Sequence, residues 1–266
     1  MSEKNLLKIV DYDAIRVITL NHQSRNNPFS AALETDIKTA LCEADADDSV
    51  EALVVTGGNG RSFSAGGDFN EVKNLKGGDE VDLWIDRVTE LYASALRVSK
   101  PTVAAVDNYA IGMGFQFALM FDWRVASSQA EFRMPELKHG IGCSMGGTIL
   151  NHVLGFSTMQ KIIYECDSIS AAQAEHYGFV NQVVAPDQLL SRALEIARQL
   201  AAYPRASYRS TKAAVGQGLL DVLYRSAGKS KEVHRAAFAD RSAQQHFARV
   251  LGEKYGAAQG HDAALQ

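Results

Sequence analysis

The stretch Asn108-Tyr109-Ala110-Ile111-Gly112-Met113-Gly114-Phe115-Gln116 decides how this chain is read. In front of it runs Pro101-Thr102-Val103-Ala104-Ala105-Val106, β-branched, apolar and of strand length. Behind it Phe115 to Phe121 is apolar and compatible with a helix. The order is therefore strand, glycine turn, buried helix. The first N–H groups of a helix lack intrahelical partners and sit at the positive end of its dipole. Gly112 and Gly114 let the backbone approach whatever fills that place. The N–H of Met113 is thus placed to hold an oxyanion; equally, the glycines would serve tight packing of a helix on a strand.

A second stretch, Arg61-Ser62-Phe63-Ser64-Ala65-Gly66-Gly67-Asp68-Phe69, repeats the pattern after the strand-like Ala52-Leu53-Val54-Val55-Thr56 and the turn Gly57-Gly58-Asn59-Gly60. Asp68 followed by Glu71 has the spacing of an N-cap with a carboxylate reaching back. The N–H of Gly67 stands at the mouth of that turn. Alone, the stretch reads as an ordinary capped turn. Two such turns can aim two backbone donors at one oxygen, which is how an enolate or tetrahedral oxyanion of a thioester is stabilised.

Working outward, Leu6 to Asn21 reads as two strands turning at Asp11-Tyr12-Asp13, the second buried on both faces. Ser30 is a candidate N-cap for a helix carrying Leu33, Ile37 and Leu41. Asp79 to Val98 is helical, with Trp84, Val88, Leu91, Tyr92 and Leu96 at core spacing. Trp123–Ala126 and Glu131–Met134 read as strands, and Gly140 to Gly147 as a glycine turn into a helix ending near Gly155. Ser170 with Gln173 forms a capping box, Gly178 ends that helix, and Phe179–Val184 is a further strand. Asp187 to Leu251 is helical, with breaks expected at Pro204 and at Gly216 to Gly218. Two strands followed by a helix recur over about the first 185 residues, which favours a helically stacked β-β-α core. We divide the chain into that core over residues 1–200, a helical region over 201–255, and a small-residue tail over 256–266 expected to be disordered.

The 266 residues carry a net charge of −4, which gives no electrostatic reason to expect nucleic acid. Three cysteines without CxxC spacing suggest reduced thiols and a cytoplasmic setting. The N-terminus lacks an apolar leader. The most apolar stretch, Pro101 to Trp123, holds Asp107, Asn108 and Gln116, so no membrane span is expected. The seven histidines form no HxxxH or HExxH pattern, and no metal site is expected. Ser144 has the GxSxG spacing of a nucleophile elbow, but no strand is legible before it. Glu136 is the better acid/base candidate. It follows Pro135, with Leu137 and Ile141 nearby, and an apolar setting would raise its pKa toward neutrality. A surface carboxylate beside Lys138 is the competing reading.

Ser62 to Phe69, Asn108 to Gln116 and Met134-Pro135-Glu136 together resemble the crotonase (enoyl-CoA hydratase/isomerase) superfamily, over about Leu7 to Tyr255. The resemblance implies an α/β fold, a β-β-α superhelix with a helical C-terminal trimerisation region, and hence a homotrimer or hexamer. It implies an oxyanion hole made by the N–H groups of Gly67 and Met113, and coenzyme A as part of the substrate with no other cofactor. Coenzyme A contacts are implied near Arg25 and around Ser64, Ala65 and Gly66. Hydratases of the superfamily use two glutamates. Here the first position is Gln116, and an amide cannot take a proton from water, so two-carboxylate hydration is not expected. The second carboxylate survives as Glu136. The runs Ser62 to Val72, Tyr109 to Asp122, Met134 to Ser144 and Phe156 to Gln160 are most similar to the carboxymethylproline-forming branch, which serves carbapenem biosynthesis. That branch implies malonyl-CoA and pyrroline-5-carboxylate as substrates, Glu136 as the base, and Trp84, Gln116 and His234 beside the substrate. A Δ3,Δ2-enoyl-CoA isomerase and a non-catalytic or RNA-binding relative are the alternatives; the net charge speaks against the last.

Overall fold

The computed structural model describes residues 5–239 and 241–252. The tail over 256–266 lies outside them. The chain opens with an antiparallel pair, β1 (Leu7–Tyr12) and β2 (Ile15–Leu20), followed by α1 (Ala31–Ala46), β3 (Ala52–Thr56), the short α2 (Phe69–Val72) and α3 (Asp79–Arg97). Next come β4 (Thr102–Val106), β5 (Tyr109–Ile111), α4 (Met113–Ala118), β6 (Trp123–Ser127) and β7 (Glu131–Arg133). A 3-10 turn over Glu136–His139 leads to α5 (Ser144–Leu154), α6 (Phe156–Glu165), β8 (Ile169–Ser170), α7 (Ala171–His176) and β9 (Gln182–Val184). The chain ends in α8 (Leu189–Ala201), α9 (Arg205–Ala239) and α10 (Ser242–Val250).

Two sheets result. One has six strands in the order β1-β2-β3-β4-β6-β9, parallel from β2 onward; the other is β5-β7-β8. The strands β3 and β4 are buried along their whole length because both faces are covered. Val17, Val54, Val103 and Val125 pack toward α8, and Ile18, Leu53, Val55 and Val106 join the larger core on the other side. The corner between β4 and β5 moves the chain from the first sheet to the second. Asn108 takes a left-handed conformation there (φ 47°), and Asp107 Oδ1 accepts from the Asn108 N–H (3.0 Å) and the Ser127 hydroxyl (2.6 Å). Bridges Phe29–Gly67 and Ser64–Ala110 extend the smaller sheet to earlier turns of the superhelix. Corresponding corners therefore stack, and this lays the Gly67 turn against the Met113 turn.

Several local expectations hold in detail. Ser30 Oγ accepts from Leu33 N (3.2 Å), a cap of about 1 kcal/mol, and the Ser170–Gln173 box is closed in both directions. Asp68 caps α2 through the Asn70 N–H, but Glu71 does not reach back to it. Its Oε2 accepts from Ala31 N (2.9 Å) and so holds the first turn of α1 instead. Phe179 and Val180 are buried but precede the strand, which covers only Gln182–Val184. Pro204 does separate α8 from α9. Gly216 and Gly218 do not break α9, which runs unbroken for 35 residues. A helical glycine costs about 1 kcal/mol relative to alanine, and packing along α3 and α5 outweighs two of them. The reversal comes later, at Arg241 in a left-handed conformation (φ 61°).

Candidate active site

The two glycine turns approach so closely that side chains are excluded. A Cβ on Gly114 would lie 2.3 Å from the Ser64 carbonyl oxygen, and one on Gly66 2.9 Å from that of Ile111. Ser64 and Ile111 are joined by a backbone hydrogen bond of 2.9 Å. Phe29 N donates to the Gly66 carbonyl and Asp68 N to the Phe29 carbonyl, so both neighbours of Gly67 are tied to Phe29. Among the described residues neither the Gly67 N–H nor the Met113 N–H donates a hydrogen bond. Both residues line one cavity of about 440 Å³, within the range of small-molecule sites. Two backbone donors without an acceptor among the described residues, one at the start of a helix, thus belong to residues that line the same cavity. The Met113 side chain crosses above Gly67, its Sδ 3.1 Å from where a Cβ would be, and so narrows the hole.

Glu136 stands on the opposite side of the Met113 turn. Its Oε1 lies 3.0 Å from the Cβ position of Gly112, whose φ of 53° already favours glycine. Gln116 Nε2 donates to that Oε1 (3.1 Å). The other oxygen, Oε2, is shielded from solvent and has no hydrogen-bond partner. Burial pushes the Glu136 carboxyl up to about 7, and its own backbone N–H, Cys143 and Gln116, in that order, offset only part of that. The Cys143 thiol is itself raised, first by burial and then by Glu136, and stays protonated. A carboxyl poised near neutrality with one bare oxygen suits proton transfer at physiological pH.

Trp84 and His234 meet across the cavity from α3 and α9, their rings edge to face at 5.4 Å. His234 Nδ1 donates to the Ser230 carbonyl (2.7 Å), which leaves Nε2 as an acceptor; burial lowers its pKa and keeps the ring neutral. Arg235–Asp82 and Lys231–Asp86 ion pairs flank this contact on the exposed side. Surface pairs contribute at most about 1 kcal/mol each, so the buried rings set the geometry. Trp84 is both core and lining, only 7% exposed yet bordering the cavity.

The proposed coenzyme A contacts divide. Ala65 and Gly66 line the cavity. Arg25 lies outside the lining, between Ser24 and Asn26, which do line it, and donates to the Gly60 carbonyl (2.7 Å). Ser64 must be withdrawn as a contact residue. It is fully buried, and its hydroxyl donates to the Asn27 carbonyl (2.8 Å) and accepts from Gly66 N (3.2 Å). Its part is to shape the turn. Ser144 begins α5 with no strand before it, and its hydroxyl pairs with that of Ser230 (2.9 Å).

Three contributors escaped the sequence reading. Tyr92 has the spacing of a core aromatic but its hydroxyl reaches Gln116 Oε1 (3.2 Å). Cys143 lay inside a glycine turn and gave no sign of adjoining Glu136. His139 lines the cavity and pairs through Nδ1 with His246 Nε2 (2.7 Å), fastening α10 over it; burial lowers His139 to about 4, so the pair is neutral. Phe69 packs tilted against Phe247 of α10 (4.5 Å between ring centroids) beside that pair.

A family model described as enoyl-CoA hydratase/isomerase matches residues 11–254. Over 243 residues the chain is 56% identical to a carboxymethylproline synthase of Pectobacterium carotovorum subsp. carotovorum, covering 91% of this chain and 97% of that one. It is 31% identical over 255 residues to a probable enoyl-CoA hydratase of Rhizobium meliloti (strain 1021), covering 96% and 97%. Among solved structures, ThnE from S. clavuligerus superposes with a TM-score of 0.74 at 36% identity, covering 85% of this chain and 100% of that one.

Proposed function

The chain belongs to the enoyl-CoA hydratase/isomerase family, and from that premise we propose that it works as a carboxymethylproline synthase on malonyl-CoA and pyrroline-5-carboxylate. The observation that carries this reading is the pairing of one carboxylate, Glu136, with an amide, Gln116, beside two free backbone donors. Hydration of an enoyl thioester by two carboxylates has no second carboxylate here. Decarboxylation needs an oxyanion hole and no base; hydrolysis of a thioester needs one base.

The thioester oxygen of malonyl-CoA lies between the N–H groups of Gly67 and Met113. As the C–C bond to the carboxylate breaks, carbon dioxide leaves and its electron pair becomes an enolate held by that hole. The enolate carbon attacks the imine carbon of pyrroline-5-carboxylate, and the imine nitrogen takes up a proton. Glu136 then takes a proton from water, the oxygen adds to the thioester carbonyl, and the C–S bond breaks as Glu136 returns that proton to the leaving sulfur, releasing the acid and coenzyme A. Trp84, His234 and Gln116 border the space left for the imine ligand. Ala65 and Gly66, with Arg25 near the rim, are the proposed coenzyme A contacts. A homotrimer or hexamer formed through the C-terminal helices is the proposed assembly.

The test uses both substrates with mass detection. Carboxymethylproline, free coenzyme A and carbon dioxide are expected, and crotonyl-CoA is expected to remain unhydrated. Gln116→Glu is expected to restore a trace of hydration at most, because Met113 still narrows the site. Robust hydration by the parent protein, or no carboxymethylproline, would overturn the reading.

A further inference from the structure

Tyr92, deep in α3, makes no contact that the proposed steps require. Its hydroxyl is nevertheless directed at the catalytic centre. Its one proton is shared between Gln116 Oε1 (3.2 Å) and the Met113 carbonyl (3.4 Å). Gln116 Nε2 in turn donates to Glu136 Oε1 (3.1 Å). Gly146 leaves the room that Nε2 occupies: a Cβ there would lie 2.9 Å from it. An amide has two faces to offer, and only one of them suits Glu136. The phenol proton has two acceptors, the amide oxygen and the Met113 carbonyl, and given to the nearer amide oxygen it turns the NH2 toward the carboxylate.

We propose that Tyr92 is a positioning residue: by holding Gln116 Oε1 it fixes the amide so that Nε2 binds Glu136 Oε1 and favours the charged form of the carboxylate. This rests on the reading of Glu136 as the base for thioester hydrolysis. Burial keeps the Tyr92 hydroxyl protonated, its pKa well above the ordinary value, so the orientation does not switch as Glu136 titrates. The titratable groups acting on Glu136 are Tyr92 from α3 and Cys143 from the turn before α5, and burial holds both neutral. The bare state of Oε2 is the independent sign. It is shielded from solvent and unpartnered, in a residue that lines the cavity.

Tyr92→Phe removes the hydroxyl and keeps the ring. Released, the amide can present its oxygen to Glu136, and the carboxylate loses a donor that favours its charged form. The pH at which hydrolysis reaches half its maximum should therefore rise above that of the parent, and kcat for hydrolysis should fall about tenfold at pH 7, while KM for malonyl-CoA stays within about twofold. Gln116→Leu should give the same upward shift. Because Tyr92 acts through Gln116, adding Tyr92→Phe to Gln116→Leu should change the profile no further. Should Tyr92→Phe fail to fold, 3-fluorotyrosine at position 92 carries the test: a more acidic hydroxyl donates more strongly, and the profile should move down. An unshifted profile in the single variant or its fluorinated substitute, or additive shifts in the double variant, overturns the proposal. Glu136→Gln, measured in parallel, separates the two levels. If it hydrolyses the thioester at the parent rate, the reading of the base fails; if it is inactive while Tyr92→Phe matches the parent, only the positioning role fails.

Discussion

A carboxyl with one oxygen tied and the other bare titrates unlike a solvated one, and Glu136 ties activity to stability with opposite signs. In the unfolded chain it ionises near 4.5; in the folded chain burial moves that to about 7. Between those values the folded state keeps a proton that the unfolded state has lost, so stability falls as pH rises through the window and is lowest above 7. Hydrolysis, which uses the charged form, rises over the upper part of the same range. Glu136→Gln should therefore melt higher than the parent at pH 8 and close to it at pH 4.5, measured by thermal unfolding; equal gaps at both pH values would contradict the burial argument. The oxyanion hole makes a second prediction at this scale. Proline has no N–H, so Gly67→Pro should lose roughly 10²–10³ in decarboxylation rate, with Met113→Ala, which keeps its N–H, losing far less. The check is carbon dioxide release from protein shown to be folded by its melting temperature; near-parent release by folded Gly67→Pro would leave Gly67 as a turn glycine only. The two glycine turns stand out in the sequence, but their roles and that of Glu136 came only with the family resemblance, since Lys138 beside Glu136 suited a surface carboxylate as well. Tyr92 was not legible, because a tyrosine at core spacing looks the same whether its hydroxyl is idle or bonded.

At the scale of elements, local signals were legible where the partner was close in sequence and lost where it was distant. Ser30, Asp68 and Ser170 each cap the helix that follows them. Glu71 serves a helix whose first turn lies 40 residues earlier, a relation no local pattern carries. The continuity of α9 was missed for an energetic reason, since two glycine penalties are small beside the burial of Leu219, Leu223, His234 and Phe238 along the same helix. That account makes a paired prediction. A Cβ on Gly216 would meet nothing within 4 Å, so Gly216→Ala should stabilise the protein by roughly 0.5–1 kcal/mol. A Cβ on Gly142 would fall 2.0 Å from Val233 Cγ1, so Gly142→Ala should push α9 away and destabilise by roughly 1–3 kcal/mol. Urea midpoints read both; a loss of stability in Gly216→Ala would mean that α9 needs its glycine for a contact beyond this chain.

For the whole molecule, the superhelix explains why one cavity gathers residues from so much of the sequence. Each turn contributes a corner, and the stacked corners bring Gly67, Met113 and Glu136 together, while α3 and α9 close one wall with Trp84 and His234 and α10 covers another with Phe247. The β-β-α repeat was legible from strand and turn spacing. The covering by α10 was not, because it depends on a His139–His246 pair separated by 107 positions and on a chain reversal at Arg241. No helix among the described residues is long and apolar enough to cross a membrane. On the proposed function, one cavity separates oxyanion stabilisation from base catalysis, using backbone N–H groups for the first and Glu136 for the second. The direct measurement is rapid quench of Glu136→Gln with malonyl-CoA and pyrroline-5-carboxylate, following carbon dioxide and acyl species by mass. Carbon dioxide should still be released and the carboxymethylprolyl thioester should accumulate without free acid; release of free carboxymethylproline at the parent rate would contradict the division.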